Sequence, residues 1–90
     1  MRVVHLTQQG AVVRAEGELL LVEGDGVLVA RLRLPLLQRL VVHGSVHLTA
    51  GALARLLASE CDVVFVSLDG RYKGRLERPG STAGGLRAAQ

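Results

Sequence analysis

Val27-Leu28-Val29-Ala30-Arg31-Leu32-Arg33-Leu34 alternates in character at every second residue. Leu28, Ala30, Leu32 and Leu34 fall on one side and Val29, Arg31 and Arg33 on the other, the pattern of a strand half buried against a core. Pro35 closes it, having no N–H to give to a sheet ladder. Three more strand patterns precede it, at residues 2–7, 11–15 and 18–22. Gln8-Gln9-Gly10 and Glu16-Gly17 separate these three, and Glu23-Gly24-Asp25-Gly26 leads into Val27. Links this short favour antiparallel hairpins.

Toward the C-terminus, residues 40–43 and 46–48 form apolar runs on either side of Gly44-Ser45. Thr49 can accept an orphan backbone N–H and so predicts the start of a helix over residues 50–59. Leu53, Leu56 and Leu57, with Ala50 a turn earlier, supply its apolar stripe. Val63-Val64-Phe65-Val66 has the look of a strand buried on both faces. Leu68-Asp69-Gly70 then turns the chain so that residues 71–77 return as an outer strand. The fold class expected is therefore α+β, mainly β: an antiparallel, sandwich-like domain over residues 1–78 with one helix. Pro79-Gly80-Ser81-Thr82-Ala83-Gly84-Gly85 reads as a linker, and residues 86–90 as the first turn of a helix belonging to a further, absent domain.

Thirty of the 90 residues are Leu or Val, enough for one core. A chain of this size withdraws about 60–65% of its unfolded surface from water, which leaves little to shape a deep cleft. Two aromatics, Phe65 and Tyr72, exclude a row of stacking rings for single-stranded nucleic acid. Cys61 is alone, so no internal disulfide or cysteine-based zinc cluster exists, and a reducing, cytoplasmic setting fits. No apolar run approaches the ~20 residues that span a bilayer, and no membrane role is expected. The ten Arg against one Lys suggest a GC-rich genome rather than a function.

Charge is unevenly placed: of the formal net +3, residues 1–70 carry −1 and residues 71–90 carry +4. Arg71, Lys73 and Arg75 alternate with Tyr72 and Gly74, so their heads are expected on one side of the outer strand, as contact with a phosphate backbone requires. With Arg78 they are the candidate DNA-backbone contacts. The competing reading is a charged edge that discourages sheet-to-sheet association. Four phosphate contacts imply roughly 100-fold weaker binding between 50 and 200 mM salt, hence a weak, nonspecific binder.

Catalytic patterns are missing: no phosphate-binding loop, no zinc helix, no nucleophile elbow. Gly24-Asp25-Gly26 is a turn tripeptide. His43 and His47 lack a third ligand, and Asp62 and Asp69 have the positions of turn and cap residues. Cys61 lacks the cationic surroundings that activate a thiolate. No catalytic or metal-binding residue is assigned to this chain.

The order of segments resembles a known family. Leu6-Thr7-x-x-Gly10-Ala11, the hairpin of residues 17–22, Leu40-Val41-Val42-His43-Gly44-Ser45-Val46-His47-Leu48-Thr49, Ala52-Leu53-Ala54-Arg55-Leu56-Leu57, Val63-Val64-Phe65-Val66 and Gly70-Arg71-Tyr72-x-Gly74-Arg75-Leu76 together are similar to the N-terminal β-domain of CRISPR-associated protein one. That family is the integrase and endonuclease of spacer acquisition in antiviral defence. The resemblance implies a β-domain that pairs two subunits into a homodimer and contacts double-stranded DNA. CRISPR-associated protein two is the expected partner of the full-length protein. The Glu, His and Asp that bind Mg²⁺ or Mn²⁺ lie in the family's helical domain, beyond Gln90, so this chain alone is expected to be inactive. Where some members place an aromatic wedge, this sequence has Gln8-Gln9-Gly10. Candidate pairing surfaces are the Val3/His5/Thr7 face and the Val27/Val29 face. The alternatives are a stand-alone β-module that pairs subunits without any DNA role and, more remotely, a small metal enzyme using His43 and His47.

Overall fold

The structure, a computed structural model, describes residues 2–77. Arg78 and the linker and helix start expected over residues 79–90 lie outside the described residues. Eight strands and one helix follow in order: β1 (Arg2–Leu6), β2 (Val12–Glu16), β3 (Leu19–Gly24), β4 (Val27–Arg33), β5 (Leu37–His43), β6 (His47–Leu48), α1 (Ala50–Ala58), β7 (Asp62–Val66) and β8 (Tyr72–Arg75). Two four-stranded sheets result, β1-β5-β7-β8 and β4-β3-β2-β6. The α+β, mainly β class expected from the sequence is the one found.

Strand direction differs from expectation. The hairpins β2–β3 and β3–β4 are antiparallel, as their short turns demand. Asp25 (φ 53°) and Gly26 (φ 76°) form the two-residue link of β3 to β4, both with positive φ as a twist-compatible hairpin turn requires. By contrast β1–β5, β5–β7 and β2–β6 are parallel. The reason is connection length: β5 reaches β7 only after β6 and α1, and β1 reaches β5 only after β2, β3 and β4. Crossovers of a dozen or more residues return a strand in the same direction.

The core lies between the sheets. Val13, Leu20 and Val22 from one sheet meet Leu40, Val42 and Val63 from the other, and Leu56 from α1 is fully buried with them. Thr49 caps α1 as predicted, its hydroxyl accepting from the Ala52 N–H at 3.1 Å. The buried stripe is centred on Ala52 and Leu56, and Ala50 is exposed. In β4 the alternation holds at Leu32. At the strand's start a register shift opposite Val22/Glu23 lifts Leu28 out of the core. Pro35 sits in a short 3₁₀ turn (Leu34–Leu36) that carries the chain from one sheet to the other. Val63 is buried and Phe65, on the same face, packs against the core, whereas Val64 and Val66 on the opposite face are only half-buried, so the strand is not buried on both faces.

Candidate nucleic-acid interface

β8 is the outer strand of the first sheet and pairs antiparallel with β7, as expected. Its alternation is not maintained. Val64 opposes Arg75, Phe65 opposes Gly74 and Val66 opposes Tyr72, which leaves Lys73 as an extra, bulged residue. Arg75 therefore shares a face with Tyr72, and Arg71 precedes the strand, so the single row of three heads is not formed.

The cations also differ in availability. The Arg75 guanidinium lies 3.1 Å from Asp62 Oδ2, and Arg39 Nε donates to the same oxygen at 3.0 Å. One carboxylate thereby laces β5, β7 and β8, all three side chains being partly exposed. Arg71 lies 3.5 Å from Asp69, both largely exposed. Ser67 organises this turn: its hydroxyl donates to Asp69 and accepts the Arg71 N–H at 3.0 Å. That hydroxyl, above all, holds the Asp69 carboxyl below its usual value, with the Arg71 N–H assisting. A depressed carboxylate pKa means that its contribution to the turn is complete above the unfolded value of about 4 and is lost as pH falls below it. Lys73 is exposed and enters no ion pair among the described residues. Ser67, Asp69, Arg71, Tyr72 and Lys73 line one shallow depression, which sets two cations beside one carboxylate.

His43 and His47 are not brought together: β6 carries His47 into the second sheet, with β2 as neighbour. The parallel pairing of β1 with β5 instead sets His5 Nδ1 2.9 Å from His43 Nε2. The rings' centroids are 5.2 Å apart, so the two nitrogens point head-on in a hydrogen bond and their lone pairs do not converge on a third point. Strand spacing along the sequence carried no sign of this contact. Gln9 is the other residue that sequence reasoning missed. Its amide Nε2 donates to the carbonyls of Thr7 (2.9 Å) and His43 (2.8 Å), and its Oε1 accepts from the Ser45 N–H (2.6 Å). This loop position is a brace between the two halves of the chain.

Among the described residues no three His, Cys, Asp or Glu side chains gather as metal ligands. A groove beside the C-terminal end of α1 is lined by Leu34, Pro35, Leu37, Ala58 and Cys61, with Glu18, Arg55, Ser59 and Glu60 at its side. Cys61 itself is buried. None of the described helices is long and apolar enough to cross a membrane.

Comparison with known proteins agrees with this organisation. A family profile described as "CRISPR associated protein Cas1" matches residues 4–90. A CRISPR-associated endonuclease Cas1 from Rhodospirillum rubrum is 31% identical over 90 residues, covering 100% of this chain and 26% of that protein. A partial Cas6-RT-Cas1–Cas2 complex superposes with a TM-score of 0.79 at 22% identity, over 88% of this chain and 24% of that one. A TtCas1–DNA complex gives a TM-score of 0.67 at 19% identity, over 90% and 28% respectively. The chain thus spans about a quarter of the length of these relatives and shares the fold of the two structures. With the profile covering nearly all of it, the chain belongs to the CRISPR-associated Cas1 family.

Proposed function

We propose that this chain is the β-domain portion of a cytoplasmic Cas1-type integrase and endonuclease, and that it pairs subunits and contacts the backbone of double-stranded DNA without performing chemistry itself. The observation that carries the reading is the match along the whole chain to a Cas1 endonuclease of which it covers 26%. The Cas1–Cas2 and Cas1–DNA complexes among the structural relatives support Cas2 and duplex DNA as partners of the parent protein.

Metal-dependent strand transfer belongs, on this reading, to the helical portion. Mg²⁺ or Mn²⁺ finds no ligand cluster among the described residues here, so no catalytic step is assigned to them. The DNA-contact candidates rank by freedom: Lys73 first, Arg71 next, Arg75 last because Asp62 holds it. Arg78 stays a candidate from sequence. A second reading, a subunit-pairing module with no DNA role, draws support from the two carboxylates that neutralise Arg71 and Arg75.

Two assays test the proposal. The purified chain with Mg²⁺ or Mn²⁺ leaves duplex DNA intact, and reproducible chelator-sensitive cleavage would overturn the division of roles. Fluorescence anisotropy at low salt shows duplex binding that the Arg71→Ala/Lys73→Ala double variant weakens. Unchanged affinity would favour the pairing-only module.

A further inference from the structure

The groove beside the C-terminal end of α1, about 640 Å³ in volume, serves neither subunit pairing nor DNA contact in the reading above. Leu34, Leu37 and Cys61 are its buried apolar lining, and Pro35 and Ala58 stand exposed beside them. Its rim leans acidic. Glu18, from the β2–β3 turn, and Glu60, from the link of α1 to β7, are exposed and in no ion pair among the described residues, against one lining cation, Arg55. The described chain ends close by. Val64 opposes Arg75, and the Leu76 N–H donates to the Val63 carbonyl at 3.0 Å, so residue 77 comes level with Asp62, the neighbour of Cys61. From β8 across β7 to β5, which carries Leu37, is two strand spacings, about 10 Å.

We infer that this groove is the seat of the chain's own residues 86–90, with Leu86 against the apolar lining and Arg87 at the acidic rim. The inference goes beyond the pairing and DNA-contact roles and depends on neither. Three observations select this occupant. Leu86 is the one large apolar side chain after Leu76, so an apolar groove at the chain's exit has a single anchor to take from that segment. Residues 78–90 carry Arg78 and Arg87 and no acid, a charge of +2 facing a rim of two carboxylates and one guanidinium. The eight residues 78–85 extend at most about 26 Å, more than twice the distance to be crossed, so the same chain reaches its own groove. Tethering then makes the contact intramolecular, which gives a modest apolar anchor an effective concentration that a free partner lacks. Seated there, the segment sets the direction in which the chain leaves the β-domain.

Disulfide trapping on the whole chain tests this, with Cys61→Ala removing the native thiol and circular dichroism melts confirming that each variant folds. Ala58→Cys with Ala88→Cys places one thiol in the groove and one on the segment, leaving Leu86 and Arg87 in place. Gly51→Cys with Ala88→Cys is the control: residue 51 is exposed on the same helix, open to a Cβ, and about 10 Å from residue 58. In dilute protein with oxidised glutathione, the 58–88 pair is expected to close within one chain at least tenfold faster than the 51–88 pair, read by intact mass and gel mobility. Adding Leu86→Asp to the 58–88 protein brings its rate down to the control's. Equal closure rates for the two pairs, a 58–88 rate indifferent to Leu86→Asp, or bridges that form between chains instead of within one overturn the assignment.

Discussion

Gly44 shows how much a single position can hold. It follows β5 with φ +68°, and a Cβ built there would lie 2.9 Å from Leu68 Cγ and against the Gln9 amide. Both the left-handed backbone and the close approach demand glycine. Gly44→Ala is therefore expected to cost about 1–3 kcal/mol of stability, read as a lower denaturant midpoint with unchanged slope. Asp62 is the second informative residue, since one oxygen serves Arg39 and Arg75. Being partly exposed, the cluster contributes no more than about 1 kcal/mol. Asp62→Asn releases two cations on the outer face of the sheet while costing little stability. If that face meets phosphates, duplex affinity rises, and a fall in affinity measured by anisotropy would contradict it.

At the scale of elements, legibility followed the range of the interaction that decides each one. The hairpins β2–β3–β4 and the capped helix α1 rest on contacts within a few residues, and Gly17, Asp25-Gly26 and Thr49 announced them. The parallel partnerships of β1, β5 and β7 depend on contacts between residues far apart in sequence, which no local pattern encodes; the same holds for the His5–His43 pair. The Lys73 bulge escaped for a related reason. Alternation of Arg71, Lys73 and Arg75 presumes an unbroken ladder, and the register shift opposite Phe65/Val66 breaks it. α1 is a packing element, with Leu56 wholly buried in the core. Leu56→Ala should destabilise the domain by about 2–5 kcal/mol in chemical denaturation, whereas Ala54, on the exposed side, should tolerate substitution.

For the molecule as a whole, the uneven charge is the feature on which the proposed DNA contact rests. Residues 1–70, net −1, supply seven of the eight strands and the helix. The +4 of residues 71–90 begins at the strand that closes the first sheet. The family and the place of this segment within it were readable from the order of its motifs. The working state of each cation was not, because Asp62 and Asp69 reach Arg75 and Arg71 only in the folded chain. On the proposed reading, the ion pairs rank Lys73 and Arg71 ahead of Arg75, and Arg78 stays a candidate from sequence. The most direct test is the salt dependence of duplex affinity for the wild-type chain and for Arg71→Ala/Lys73→Ala. Each lost phosphate contact lowers the steepness of log K against log salt by about 0.9, so the double variant is predicted to bind more weakly at low salt with a slope shallower by about 2. Identical affinity and slope in the two proteins would contradict the account.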